Sequence, residues 1–253
     1  MRAAALAAWV ALSAVAQPLP DNRRSGFDFM SPATQAMQRD DALNPGMLWV
    51  LDGEAAWSAP VGPEKRSCAG CHGDARQAMR GVAARYPAFD EVLQRPIDLR
   101  QRIAACRQKL QPGSIDSADH PQALALEAFV AFQSRGLPVA PPADARLEPA
   151  REKGRALFHQ RFGQLDLACS DCHDAMAGRR LGGSPIPQAH PTGYPIYRLE
   201  WQGLGSLQRR LRACFSGVRA EPFAWGAPQW IELELYLAWR ARGMPMEAPA
   251  VRP

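Results

Sequence analysis

Six cysteines occur in the 253 residues, and four of them fall in two copies of one pattern, Cys68-Ala-Gly-Cys71-His72 and Cys169-Ser-Asp-Cys172-His173. In C-x-x-C-H the two thiols add to porphyrin vinyl groups and the adjacent histidine ligates the iron. The two-residue spacer lets both sulfurs reach one ring edge from a single helical turn. One match alone could be chance or a dithiol redox pair. Two matches behind an export signal predict two covalently bound c-type haems. Cys68, Cys71, Cys169 and Cys172 would form the thioethers, with His72 and His173 as proximal ligands. Cys106 and Cys214 are left over.

The export signal is read from residues 1–16, where Arg2 precedes an apolar run ending at the small residues Ala14-Val15-Ala16. That run is shorter than the roughly 18–20 residues needed to span a bilayer, and no later segment comes closer. A mature chain outside the cytoplasm, in the periplasm and without a membrane span, follows as the expectation. Only Lys65, Lys109 and Lys153 among the 30 basic residues are lysine, and the formal net charge is +5. No aromatic-basic motif accompanies that charge, so it suits an anionic small substrate or an acidic partner protein better than nucleic acid.

An internal duplication organises the chain. Gly53, Ala55, Trp57, Gly62 and Cys68 align with Gly154, Ala156, Phe158, Gly163 and Cys169 at a constant offset. Leu99 to Cys106 aligns with Leu207 to Cys214 in the shared pattern L-x-x-R-[IL]-x-A-C. Further on, Leu126, Phe129 and Val130, like Leu233, Tyr236 and Leu237, fall at i, i+3 and i+4. Each set marks a helix with one face to bury, stopped by Arg-Gly-x-Pro. These elements predict an all-α fold of two tandem class I cytochrome c-like domains. The expected boundaries are an N-terminal extension at 17–50, a first domain at 51–139, a linker at 140–149 and a second domain at 150–253.

Duplication also places Cys106 and Cys214 at equivalent positions. Each iron needs a sixth ligand if it is to remain a six-coordinate electron-transfer centre. Met79, Met176, His120 and His190 are available, but none recurs at a matching position. Cysteine does, which favours His72/Cys106 and His173/Cys214 as the axial pairs. A Cys106–Cys214 disulfide joining the two repeats remains the alternative. A thiolate ligand stabilises ferric iron and lowers the potential, making a poor general carrier but a good seat for reactive sulfur. Arg100, Arg102 and Arg107 surround Cys106, while Arg209, Arg210, Arg212 and Arg219 surround Cys214. Arg210 stands at i−4, on the same helix face as the sulfur. Arg209 and Arg212 read equally well as a solvated helix face.

Several strings resemble the dihaem SoxA cytochromes of bacterial thiosulfate oxidation. They include Phe29-Met30-Ser31-Pro32-Ala33-Thr34-Gln35, Asn44-Pro45-Gly46-Met47-Leu48-Trp49-Val50, His190-Pro191-Thr192-Gly193-Tyr194-Pro195-Ile196-Tyr197-Arg198-Leu199 and Arg209-Arg210-Leu211-Arg212-Ala213-Cys214. The resemblance covers nearly the whole mature chain. It implies an L-cysteine S-thiosulfotransferase subunit that pairs with a SoxX-like monohaem cytochrome c and joins thiosulfate to a cysteine of a SoxYZ-like carrier, with loss of two electrons. It also implies that Cys214 carries the reactive sulfur, often as a persulfide, and that Arg210 positions the anion. Two other activities compete: a dihaem thiosulfate dehydrogenase forming tetrathionate, and a plain electron-transfer cytochrome.

Overall fold

The computed structural model describes residues 21–110 and 120–253. The export signal read at 1–16 lies outside the described residues. Helices α1 (Pro32–Arg39) and α2 (Gly46–Ser58) come first, followed by the short α3 (Cys68–His72) and α4 (Ala75–Ala78). The longer helices α5 (Leu99–Leu110) and α6 (Pro121–Phe132) complete the first half. The second half runs α7 (Glu148–His159), a π-type turn over Asp171–Ala175, α8 (Leu207–Gly217) and α9 (Pro228–Arg240). None of the described helices is long and apolar enough to cross a membrane.

Matching residues build matching cores. Helix α2 packs on α6, and α7 on α9. Gly53 sits where α2 crosses α6, and a Cβ there would strike the Ala125 carbonyl; Gly154 meets the Glu232 carbonyl in the same way. Glycine is therefore required at both crossings for backbone approach. Beside them, the Trp57 ring lies 5.9 Å from Phe129, and Phe158 lies 5.5 Å from Tyr236. Trp57 and Phe158 are both buried, each contributing on the order of 2–3 kcal/mol by removing aromatic surface from water. Helix α7 starts at Glu148 with Pro149 in its first turn, so the helix begins inside the stretch expected to be linker.

Short strands supplement the helices, a departure from the all-α expectation. β1 (Ala88–Asp90) pairs antiparallel with β2 (Arg95–Ile97), and β3 (Arg180–Leu181) with β4 (Ser184–Pro185). A three-stranded sheet has β5 (Ile196–Arg198) at its centre, antiparallel to β6 (Gly203–Gly205) and parallel to β7 (Ala250–Arg252). Strands of two or three residues are too short to show a readable alternation.

The segment before α2 is tied to the C-terminal strand. Asn44 donates from Nδ2 to the Pro249 carbonyl at 2.9 Å and accepts from the Gly46 amide at 2.9 Å. The Val251 amide donates to Gln38 at 3.1 Å. The two halves also meet each other through duplicated residues: Leu137–Val139 and Met244–Met246 exchange backbone hydrogen bonds, with Pro138 opposite Pro245. Equivalent residues facing one another define a local two-fold relation.

Candidate functional site

Cys106 and Cys214 do not bond to each other, and no disulfide joins any of the six cysteines. Each instead lies with the histidine of its own half. Cys106 lines a cavity of about 570 Å³ together with Cys68, Cys71 and His72. Cys214 lines a cavity of about 170 Å³ together with His173. The local two-fold runs through Pro138 and Pro245, so it brings equivalent loops together and leaves the cysteines in separate pockets. The disulfide alternative is thereby excluded.

The first cavity suits a large apolar prosthetic group in size and lining. Trp57, Val82, Leu99, Ile103, Leu126 and Val130 wall it. Arg107 also lines it; its side chain is buried, and its Nε and Nη1 have no hydrogen-bond partner. That guanidinium presents the cation a haem carboxylate needs. Met79 lines the cavity as well, whereas His120 caps helix α6 by accepting from the Gln122 amide.

In the second pocket the donors are already oriented. His173 Nδ1 lies 2.7 Å from the Pro187 carbonyl. A carbonyl only accepts, so Nδ1 carries the proton and Nε2 keeps its lone pair for a metal. Burial pushes the Cys214 thiol up, but its contact with His173 and the charges of Arg210 and Arg198 outweigh it and hold the thiol below its ordinary value. Burial and Cys214 itself push Cys169 in the other direction, to about 12. Among the described residues of this pocket the thiolate therefore forms first at Cys214.

The cations differ sharply between the two pockets. Arg102 forms an ion pair with the buried Asp90 at 2.5 Å and a hydrogen bond to Tyr86. Arg210, at the matching position, makes no ion pair with any described residue; burial works against its charge, and Cys214, Tyr194 and the Glu200 carboxylate outweigh it and raise its pKa. Burial holds Tyr194 up at about 12, so it remains a neutral hydrogen-bond donor. Arg209 stacks on Trp201 at 4.3 Å and Arg212 on Trp225 at 4.6 Å, and neither lines the cavity. Arg100 is buried and bonded to Asp98 and Gln208, away from Cys106. Met176 is exposed, and His190 binds the Arg24 carbonyl at 2.8 Å.

Spacing alone brought attention to Cys214, Arg210 and His173, and the fold places them in one cavity. It also adds Tyr194 and Arg198, to which spacing had assigned no role. Extending the duplication through Tyr86-Pro87 and Tyr194-Pro195 was the signal available for them.

Comparison with known proteins identifies the family. The family described as "SoxA/TsdA, cytochrome c domain" matches residues 52–139 and 153–246. The L-cysteine S-thiosulfotransferase subunit SoxA of Rhodovulum sulfidophilum is 37% identical over 92% of this chain and 81% of its own. The subunit of the same name from Pseudaminobacter salicylatoxidans is 35% identical over 92% and 82%. A crystal structure of SoxXA from P. pantotrophus superposes with a TM-score of 0.88 at 31% identity, covering 91% of this chain and 87% of that one. Matched over both halves, this chain belongs to the SoxA/TsdA cytochrome c family.

Proposed function

We propose that this chain is the dihaem SoxA-type subunit of an L-cysteine S-thiosulfotransferase. It acts in the periplasm with a SoxX-like monohaem cytochrome c and joins thiosulfate to a cysteine of a SoxYZ-like carrier protein. In this reading two tandem cytochrome c-like domains, 51–139 and 150–253, each hold one haem c. Cys68 and Cys71 attach the first, between His72 and Cys106; Cys169 and Cys172 attach the second, between His173 and Cys214. The observation that carries the assignment is the Cys214 pocket, where a thiol held below its ordinary value shares a cavity with an arginine that forms no ion pair with a described residue.

Haem c, when bound, supplies one-electron acceptors, one in the second domain and one in the SoxX-like partner, for the two electrons released as a sulfur–sulfur bond forms. The protein's own groups prepare the sulfurs. His173 and the neighbouring arginines favour the Cys214 thiolate. Arg210 offsets the charge of the thiosulfate dianion and aims its outer sulfur at Cys214, while Tyr194 donates a hydrogen bond in the same cavity. Thiolate and thiosulfate lose two electrons together and give Cys214–S–S–SO3⁻. The carrier thiolate then attacks the middle sulfur, forms carrier–S–S–SO3⁻ and returns the Cys214 thiolate. The first domain keeps Cys106 and its haem outside this chemistry.

The test is to mix the complex with thiosulfate and purified carrier. Haem reduction coupled to a thiosulfonate adduct on the carrier cysteine is the expected result. Tetrathionate produced without carrier would replace this reading by the dehydrogenase. Haems that stay oxidised with all components present would leave an electron-transfer cytochrome.

A further inference from the structure

The spacing that superposes Cys106 on Cys214 and Arg102 on Arg210 also superposes β1 on β5 and β2 on β6. It then places Asp90 onto Arg198. Asp90 is 2% exposed and neutralises Arg102. At the same point of the matching strand, Arg198 is 9% exposed and lines the Cys214 cavity with Arg210. One charge reversal thus neutralises Arg102 in the first pocket and gives the second pocket a guanidinium group at both positions, that of Arg198 paired on one side with the exposed Glu200.

Arg198 is only partly satisfied by the protein. Its Nη2 donates to the exposed carboxylate of Glu200, and its guanidinium lies 5.1 Å from the Trp201 ring. Its Nε is buried without a hydrogen-bond partner, and a buried orphan donor requires a reason. Burial and repulsion from Arg210 both work against its charge. Two like charges kept together in one cavity, one of them only partly satisfied by Glu200, are stabilised by an anionic ligand.

We propose that Arg198 is a second anion-binding residue of the Cys214 site, holding the sulfonate of thiosulfate jointly with Arg210. This assignment rests on the thiosulfate-conjugating reading. Arg210 alone could neutralise one charge; the pair matches the dianion and fixes its orientation, because two planar forks hold a tetrahedral sulfonate from two sides. Asp90 has the opposite effect, pairing Arg102 and leaving the first pocket without a free cation at this position.

The test compares Arg198→Gln, Arg198→Lys and Arg198→Asp in the haem-loaded complex, with Asp90→Asn as control. Arg198→Gln should raise KM for thiosulfate about ten- to a hundred-fold, the effect of losing one charge-assisted hydrogen bond. Its kcat should change less than about three-fold, because the group acts on binding. Arg198→Lys keeps the charge and should recover most of the affinity, which separates binding from a fold defect. Arg198→Asp supplies Arg210 with a carboxylate, as in the first half, and should lower kcat/KM further. Asp90→Asn should leave KM unchanged. The absorption spectrum of the second haem should be the same in wild type, Gln and Lys variants, and its midpoint potential the same in wild type and the Lys variant, which keeps the positive charge near Cys214. An altered potential with unaltered KM would mean that Arg198 holds a haem carboxylate, and the proposal would fall. Unaltered KM in every Arg198 variant of an active complex would overturn this assignment alone. A wild-type complex inactive with thiosulfate and carrier would overturn the functional reading as well.

Discussion

Arg102 and Arg210 stand one helical turn before matching cysteines, and they differ in what they meet. Arg102 is held by Asp90 and Tyr86; Arg210 faces a thiol and a phenol. Arg210→Ala should therefore lower kcat/KM for thiosulfate by about a hundred-fold or more, as expected for loss of a preorganised cation at developing charge. Arg102→Ala should leave kcat/KM within about three-fold while lowering the melting temperature, because the buried Asp90 carboxylate loses its partner. Steady-state kinetics and a thermal melt on both variants check the pair. The cysteines, histidines and Arg210 were legible because their chemistry is encoded in local spacing on one helix or turn. Asp90, Tyr194 and Arg198 were not, since their roles exist only where short strands, and the loop before β5 that holds Tyr194, carry them to the helix that bears the cysteine.

At the scale of elements, the duplicated glycines report how tightly the helices cross. Gly53→Ala or Gly154→Ala would push α2 off α6 or α7 off α9, with no flexible side chain to yield. Each should destabilise the fold by about 1–3 kcal/mol, seen as a melting temperature lower by roughly 5 °C. Helix α9 carries another testable group, the buried Glu234. Burial raises its pKa well above the ordinary value of 4.5, and the charges of Asp98 on the segment before α5 and Glu127 on α6 add to this, opposed by Arg100. The folded protein therefore holds a proton that the unfolded chain has released. This stability is full below about pH 4.5 and declines as pH rises toward the folded value. Glu234→Gln should flatten that decline and raise the melting temperature at pH 8 by roughly 3 °C, measured as a pH series of melts against wild type. The long helices were readable from their apolar i, i+3, i+4 stripes and Gly-Pro stops. The strands escaped notice because segments of three residues owe their pairing to tertiary contacts.

Over the whole molecule, duplication produces a symmetric frame with an asymmetric charge pattern. Equivalent loops pair across Pro138 and Pro245, and equivalent helices build equivalent cores. The segment before α2 closes over the C-terminal strand, where Asn44 makes two hydrogen bonds. Asn44→Ala should cost about 1–3 kcal/mol by leaving the Gly46 amide and Pro249 carbonyl without a partner, measured by denaturant unfolding. Within this frame Arg102 is neutralised by Asp90 while Arg210 makes no ion pair with a described residue, which supports the proposal that thiosulfate conjugation takes place in the second half. The most direct measurement compares Cys214→Ala with Cys106→Ala in the complex, scoring carrier conjugation and covalent haem content together. Cys214→Ala should retain its haems and lose conjugation, while Cys106→Ala retains conjugation with an altered spectrum of the first haem. Conjugation that survives in Cys214→Ala, or is lost in Cys106→Ala with haem content intact, would contradict the assignment.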